Sequence, residues 1–403
     1  MTTSTETPDP TAAPDPLAKL LARRTAIALA LTVLLIVPTA VLFVLTEQPS
    51  ATYAMMGTIV GVVAVMTGGV RIGVITAVVV ALLAPLSIVS GLSPVTGAAL
   101  MALMTLTVGR LSVFGLHRSA MLVPIFLAWP MLAPVPWIPA SALSRLDELL
   151  SRSGGSLSQA LATSGSKAGG GGTSSSAALT DALMRQRFDS HYLLWIIVFF
   201  FVGAIVPVLL APLALRKVTL PDPTPNSRSD AVPYTITIIV LTAGATYYFL
   251  EHPELVSGSF FIATVLVLTQ VGNDVAWGLT VQRVLGTLGG VALLVAVTSL
   301  LGTVTYTEVL GIPMPLSLYA LGLLFGVGAL IAKFSPRYWI YFALITPTAA
   351  LLNAYTTAQA GSVGRQRLVD NLVGAALVLV AALITTLASR LVPSGSDESG
   401  PNA

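Results

Sequence analysis

The sequence predicts an all-α fold: a polytopic transmembrane helical bundle of about 12 spans with no large water-soluble domain. Only 9% of its 403 residues are charged, whereas 55% are hydrophobic and the mean hydropathy is +0.88. A typical soluble domain has about 25% charged residues. Twelve spans of about 20 residues need about 240 residues, which this chain can supply. These proportions leave too little chain outside the bilayer for a nucleotide-binding domain.

Twelve apolar runs, bounded by charges or by Pro and Gly, support this number. The second and third runs are separated only by Gly68 and Gly69, so a count of eleven also fits the pattern. The runs lie near 25–46, 53–69, 71–90, 95–109, 119–138, 191–215, 233–250, 256–272, 279–301, 316–332, 338–352 and 368–390.

The distribution of Lys and Arg predicts that both termini lie inside, because basic residues collect on the cytoplasmic side of membrane proteins. Of the 20 basic residues, 13 flank the inner ends of the runs, and the short outer loops carry only Arg365 and Arg367. The other five lie in 139–190, a segment too long to report orientation. Because Arg outnumbers Lys by 16 to 4, a GC-rich bacterial source is expected. The predicted location is therefore the bacterial plasma membrane.

Three short motifs recur in the same order in both halves of the chain, which predicts an internal repeat. Each motif occupies the same position relative to the apolar runs, at 47–49 and 251–253, 110–112 and 333–335, and 185–187 and 365–367. Since six spans is an even number, the two repeats would be parallel and could enclose a pathway between them. The predicted organisation is a disordered cytoplasmic tail 1–18, a first repeat 19–215 with an inserted Gly/Ser-rich external loop 139–190, a cytoplasmic linker 216–232, a second repeat 233–391 and a disordered cytoplasmic tail 392–403.

The motifs that the sequence lacks limit its chemistry. There is no Cys, no nucleotide-binding Gly-x-x-x-x-Gly-Lys-Ser/Thr sequence, no Gly-x-Ser-x-Gly elbow, and the three His are scattered. We therefore expect no enzyme activity, no catalytic residue, no metal and no cofactor. The pI near 9.2 follows from basic residues in the span flanks, so no nucleic-acid partner is expected.

Two segments of the second half carry a family resemblance. The patterns of the fusaric acid resistance protein-like superfamily, also called aromatic acid exporters, are Arg-x-x-Gly-Thr-x-x-Gly and Arg-x-x-Asp-x-x-x-Gly. They resemble Arg283-Val-Leu-Gly286-Thr287-Leu-Gly289-Gly290 and Arg367-Leu-Val-Asp370-Asn-Leu-Val-Gly374. The resemblance extends over 233–391 and is weak over 25–215. It implies an exporter of small organic anions or amphipathic aromatic compounds.

Two other functions remain open at this stage. The same superfamily resemblance reaches plant malate channels, so an anion channel is one alternative. A non-transporting scaffold or assembly partner in cell-envelope synthesis is the other. The expected partners are the lipid bilayer, the organic anion or amphipathic substrate, and either a second copy of the chain or a membrane-fusion protein.

Four residues are candidates for substrate transport: Arg283, Asp274, Arg367 and Asp370. Arg283 could contact an anion or extend to the interface, and Asp370 could hold a proton or ion pair or cap its helix. With Arg283 at the inner face and Asp370 at the outer face, the two are not expected to pair directly. Arg367 and Asp370 are three residues apart and can share a helix face. Asp274 could cap a loop or close a cytoplasmic gate with Arg283.

Four further residues are candidates for an outer gate or clamp: Glu47, Glu251, Arg187 and Asp189. Each Glu lies two residues before a Pro in matching outer turns, so it is either a solvated turn residue or a partner for Arg187 and Arg367. Arg187 and Asp189 are two residues apart and would not share a helix face. Gly286, Gly290 and Gly374 are expected to allow close packing between helices.

Overall fold

The structure is a computed structural model of the chain. Two of the predicted features, the Gly/Ser-rich loop and the disordered tails, lie almost wholly outside the residues that it describes. The described residues are 17–135, 189–214, 224–253, 255, 258–269, 276–301, 307–309, 312–314, 316–332, 337–352 and 357–391.

Nearly all the described residues are helical, as the composition predicts. A short 3₁₀ helix, Pro49–Thr52, precedes the helix Tyr53–Ser90. Two three-residue strands, Thr307–Val309 and Ile312–Met314, form an antiparallel hairpin between the helices Ala276–Leu301 and Leu316–Ala332. The α-helices are α1 Leu17–Thr46, α2 Tyr53–Ser90, α3 Pro94–Ser112, α4 His117–Ala120, α5 Leu122–Leu132, α6 Ser190–Ala214, α7 Arg228–Glu251, α8 Gly258–Leu268, α9 Ala276–Leu301, α10 Leu316–Ala332, α11 Tyr338–Leu352 and α12 Thr357–Leu391.

Seven of the described helices, α1, α2, α3, α6, α7, α9 and α12, are long and apolar enough to cross a membrane. Three more, α8, α10 and α11, are apolar but shorter. Large hydrophobic side chains cover the outer faces of the helices. On α1, for example, Val33 and Val37 are 59% and 50% exposed. In water such a surface would be unfavourable, but in a bilayer it faces lipid. The chain is therefore a multi-pass membrane protein.

Helix α2 is a hairpin of two limbs rather than one straight rod. Gly69 has φ 78° and ψ 178°, a backbone conformation that residues with a Cβ rarely adopt. Both ends of α2 contact the same segment: Val135 N donates to Tyr53 Oη at 2.7 Å, and Gly91 packs on the carbonyl of Met131. A straight helix of 38 residues would hold its ends about 57 Å apart. The chain thus turns back at the Gly68–Gly69 pair that separates the second and third predicted runs.

The helix termini collect in two layers. We name the first the Tyr192 end, where Tyr53, Val135 and Tyr192 meet and Tyr192 Oη donates to Val135 O at 2.6 Å. We name the second the His117 end. There the hydroxyls of Thr67 and Ser119 lie 2.6 Å apart, and Asn226 Nδ2 donates to Ser112 O at 2.8 Å.

The main apolar core joins the two halves of the chain. It includes Met101 and Phe200 from the first half and Ile262 and Leu266 from the second, all less than 2% exposed. Helices α3 and α7 pack against each other in antiparallel fashion. Gly97 lies against Leu250 near the Tyr192 end, and Gly109 lies against Thr235 near the His117 end.

The structure corrects two predicted boundaries. The twelfth run was expected to begin near residue 368, but α12 begins at Thr357, so Arg365 and Arg367 are helical rather than loop residues. The run 119–138 contains the described helix Leu122–Leu132, which is only 11 residues long.

Close packing of α2 on α6 predicts that Gly57 cannot accept a side chain. A Cβ there would collide with the carbonyl oxygen of Phe200 and lie 3.0 Å from Ala204 N. Gly57→Ala should lower stability by about 1–3 kcal/mol, measured as a fall in the unfolding temperature of the purified protein in detergent.

The matched control is Gly244→Ala in α7, where no heavy atom lies within 4 Å of the added Cβ. Alanine stabilises an exposed helix position by up to about 1 kcal/mol relative to glycine. The control should therefore keep or raise the unfolding temperature. Equal losses in both variants would contradict the packing.

Candidate functional site

Three charged side chains are buried in the part of the chain that the structure describes: Arg283, Arg367 and Asp370, which are 7%, 8% and 8% exposed. Arg283 lies two turns into α9, and Arg367 and Asp370 lie one turn apart on α12. All three belong to one cluster, since Arg367 interacts electrostatically with both Arg283 and Asp370. The described buried charges therefore sit at one place in the bundle and carry a net charge of about +1.

Two polar side chains hold the guanidinium of Arg283. Its Nε donates to Asn371 Oδ1 at 3.0 Å, and its Nη2 donates to Thr264 Oγ1 at 2.9 Å. Thr264 Oγ1 also lies at donor distance, 2.8 Å, from Asn371 Oδ1. The guanidinium carbon lies 4.6 Å from the ring centroid of Phe342 on α11, a cation–π distance. Helices α8, α9, α11 and α12 therefore all contribute to the position of this one charge.

Arg367 is held mainly by an aromatic ring. Its guanidinium carbon lies 4.0 Å from the ring centroid of Phe260, and its Nη1 donates to the carbonyl of Ile345 at 3.4 Å. Its Nε has no hydrogen-bond partner among the described residues. Asn371 connects the two arginines, because its Nδ2 donates to the Arg367 carbonyl at 2.9 Å while its Oδ1 accepts from Arg283.

This arrangement is suited to binding an anion. Guanidinium groups stay protonated in proteins and present flat donor edges that match a carboxylate. Two of them repel each other inside an apolar bundle, and Asp370 offsets only one of the two charges. A carboxylate between them would balance the remaining charge, and the rings of Phe260 and Phe342 beside the donors would suit an aromatic or amphipathic body.

Small residues allow the helices to approach closely around the cluster. A Cβ on Gly286 would collide with the carbonyl oxygen of Trp339, and one on Gly290 would lie 2.7 Å from Thr346 Cβ. A Cβ on Gly374 would lie 3.1 Å from Thr264 Cγ2. The first two glycines set α9 against α11, and the third sets α12 against α8, so all three lie where helix packing predicts.

The site also touches the first half of the chain. The ring of Phe260, which stacks on Arg367, packs edge-on against Trp129 of α5 with centroids 4.8 Å apart and an interplanar angle of 78°. The cluster therefore borders the seam between the two halves.

The family model described as fusaric acid resistance protein-like matches residues 242–381. Over these residues the second half of the chain is similar to the fusaric acid resistance protein-like family. The match contains every residue of the cluster and confirms the resemblance that the Arg283 and Arg367 motifs predict. The comparisons with curated proteins and with solved structures gave no match.

Two expectations about residues within this match are wrong. Arg283 and Asp370 were placed at opposite faces of the membrane, but Arg283 bonds to Asn371, the residue next to Asp370. Asp370 was also considered as a helix cap, but it lies more than three turns after the start of α12. Both errors follow from the extra turns 357–367, which carry the Arg-x-x-Asp motif deep into the bundle.

The structure does not bring the described gate and clamp candidates together with Arg367. Glu47 and Glu251 are exposed, whereas Arg367 is buried, so the proposed clamp between Arg367 and these acids is wrong. Glu47 has φ 53°, as expected for a turn residue. Asp189 Oδ1 accepts from His191 N at 2.9 Å and so caps the start of α6. Arg187 and Asp274 lie outside the described residues.

Sequence reasoning missed Thr264, Asn371, Phe260 and Phe342. A signal existed for Asn371, which is four residues after Arg367 and therefore lies on the same helix face. Threonine and phenylalanine are common in apolar helices, so the other three residues carried no signal.

The hydrogen bond from Arg283 to Thr264 predicts that Thr264→Val destabilises the domain. The substitution keeps the side-chain volume but removes an acceptor from a buried guanidinium, which costs about 1–3 kcal/mol. We expect the unfolding temperature in detergent to fall. Thr298→Val is the matched control, because Thr298 Oγ1 donates only to carbonyls of its own helix and should leave that temperature nearly unchanged.

Proposed function

We propose that this protein is a bacterial plasma-membrane exporter of small organic anions, particularly aromatic or amphipathic carboxylates, which pass along the seam between two parallel six-helix repeats. One observation carries the proposal. The buried charges of the described residues form a single cluster with a surplus positive charge, and this cluster lies in the segment that matches the fusaric acid resistance protein-like family.

Buried charges are costly within a membrane, and they are kept there mainly for function. A purely structural cluster would be expected to balance its charges, as a salt bridge does. This cluster instead contains two arginines and one acid, Asp370, which interacts with Arg367, and aromatic rings face both guanidinium groups. An anionic substrate supplies the missing negative charge, and the rings interact with its apolar part.

The contacts between helix ends support the twelve-span topology. From Tyr53 to Glu251, successive helical segments run alternately from the Tyr192 end to the His117 end and back, as successive membrane spans must. Removing the buried Arg283 and Arg367 from the basic-residue count leaves 12 inner residues against the single outer Arg365. Under this proposal the His117 end is cytoplasmic, and both termini lie inside.

Corresponding helix pairs support the parallel repeat. In the first half, α2 and α6, which hold the second and sixth predicted spans, pack through Gly57 and Gly61. In the second half α8 and α12, the eighth and twelfth spans, pack where Thr264 meets Gly374. The same two members of each six-helix unit are thus in contact.

The topology predicts that residue 164 lies outside. Since the chain has no native Cys, Ser164→Cys gives a single thiol in the long segment between α5 and α6. It should react with an impermeant maleimide in intact cells once any outer barrier is permeable. Labelling that appears only after the inner membrane is lysed would reverse the orientation.

The cluster predicts a transport defect in Arg283→Gln. The substitution keeps much of the side-chain length but removes the charge that faces the anion. We expect export of an aromatic carboxylate from loaded cells or vesicles to fall about tenfold or more per molecule of protein, since a hydrogen bond to a charged group contributes about 1.5–3 kcal/mol. Arg283→Lys should retain part of the flux, because it keeps the charge but loses the forked donor geometry.

Arg365→Gln, which removes an exposed charge on α12, is the control and should export normally at normal abundance. Unchanged flux per molecule in Arg283→Gln would contradict the proposal.

Conductance measurements in planar bilayers distinguish an exporter from an anion channel, because sustained unitary currents would indicate a channel. Absence of both flux and conductance in the native protein would favour the scaffold.

A further inference from the structure

A cavity of about 250 Å³ lies at the His117 end, where the two halves of the chain meet. His117 and Arg118 line it from the first half, and Tyr234, Leu268, Leu279 and Tyr338 line it from the second. None of these residues belongs to the arginine cluster. The cavity therefore brings together side chains from five helices, α4, α7, α8, α9 and α11.

The cavity combines polar groups with flat apolar walls. The Nδ1 atom of His117 is buried and has no hydrogen-bond partner among the described residues. The ring of His117 packs edge-on against that of Tyr234, with centroids 6.0 Å apart. Leu268 and Leu279 supply aliphatic surface, and Arg118 is exposed at the rim. Such a lining suits a ring with one anionic substituent.

The surface around the cavity is predominantly basic. Arg71, Arg110, Arg228 and Arg337 are exposed and lie at the His117 end of α2, α3, α7 and α11. The acid described at this end is Asp230, whose carboxylate accepts from Ser227 Oγ at 2.6 Å. A basic rim raises the local concentration of anions and their rate of association.

Tyr338 connects the cavity to the buried cluster. Its ring lies against Phe342, one turn further along α11, with centroids 4.9 Å apart. Phe342 in turn stacks on the guanidinium of Arg283, which also interacts electrostatically with Tyr338. The side chains of Tyr338 and Phe342 therefore lie between the cavity and Arg283.

We propose that this cavity is an entrance subsite that binds a single-ring aromatic carboxylate, with Arg118 and His117 facing the carboxylate and His117 taking up a proton when the anion binds. The inference deepens the exporter proposed above and rests on it. The volume favours one ring, because pockets for drug-sized ligands enclose about 300–1,000 Å³.

The direction of the pH effect follows from the surroundings of His117. Burial and, to a smaller extent, the charge of Arg118 lower its pKa from the usual 6.5, so without an anion the imidazole is mainly neutral at pH 7.5. A bound carboxylate would favour the imidazolium and raise that pKa. Proton and anion therefore bind cooperatively, and anion affinity should rise as the pH falls.

The other groups around His117 cannot produce this pH dependence. Arg118, Tyr234 and Tyr338 line the cavity, and Arg71, Arg110 and Asp230 lie on adjoining helices. The ordinary pKa values of these residue types, about 4 for aspartate and about 10 or higher for tyrosine and arginine, lie outside the range from 5.5 to 7.5. The described parts of α8 and α9 that line the cavity contribute only Thr269 and apolar side chains.

The test is a titration of the full-length protein in nanodiscs with benzoate, followed by saturation-transfer NMR at pH 5.5, 6.5 and 7.5. Benzoate stays ionised over this range, since carboxyl groups have pKa values of about 4. We expect Kd to be about three- to tenfold lower at pH 5.5 than at 7.5. His117→Gln should remove that ratio, and Arg118→Gln should raise Kd at every pH.

Benzamide and inorganic phosphate distinguish the ligand chemistry. Benzamide has the ring without the charge, and phosphate has the charge without the ring, so both should bind more weakly than benzoate. Arg365→Gln, which removes an exposed charge on α12 outside the cavity and its basic rim, should leave the benzoate Kd unchanged. Absence of benzoate binding, phosphate binding at least as tight as benzoate, or a pH ratio that survives in His117→Gln would overturn the inference.

These experiments distinguish failure of the subsite from failure of the proposed function. If Arg283→Gln loses export while His117→Gln binds benzoate with the native pH ratio, the exporter stands and this subsite falls. If benzoate binds as expected but the native protein exports no carboxylate, the subsite exists and the exporter falls.

Discussion

The interaction on which the second half depends is the capture of the Arg283 guanidinium by Thr264 and Asn371 inside an apolar bundle. An arginine at this depth is tolerated only if its donors are satisfied, because an unpaired buried charge costs several kcal/mol. Satisfying them requires α8, α9 and α12 to meet at one level, and the Phe342 ring adds α11. Gly286 lets α9 pack against the backbone of α11, and Gly374 lets α12 pack against Thr264 of α8. The buried charge needs the helices to pack closely, and the small residues allow them to do so.

The cluster also relates the two halves mechanically. Phe260 contacts Arg367 on one side and Trp129 of the first half on the other. A shift of α5 relative to α8 would therefore change the surroundings of a buried charge. Aromatic rings suit this position, because they shield the guanidinium from lipid while forming weaker and less directional contacts than a salt bridge. Movement along the seam is correspondingly cheaper than breaking a buried ion pair.

Much of this could be predicted from composition and spacing, and the rest could not for identifiable reasons. The hydropathy profile located the described helices, and the pair Gly68–Gly69 marked the turn in α2. The hydropathy profile placed the start of α12 eleven residues late, because 357–367 is rich in Gly, Ser, Arg and Gln and resembles a loop. That error separated Arg283 from Asp370. Thr264 was invisible because threonines in apolar helices, such as Thr242, usually bond to their own backbone.

The two halves differ in one respect that bears on mechanism. Among the side chains that the structure describes, the first half buries no Asp, Glu, Lys or Arg, whereas the second buries three. The contact between α2 and α6 is built around glycine, alanine and other apolar residues, and the corresponding contact between α8 and α12 contains the polar group that holds Arg283. A pathway between such halves has one charged wall and one largely apolar wall. An aromatic carboxylate has the same division, so under the proposed function it can keep its charged group against the second half while its ring follows the first. A small inorganic anion has no apolar part to interact with that second surface, and this difference gives the seam a physical basis for preferring organic anions.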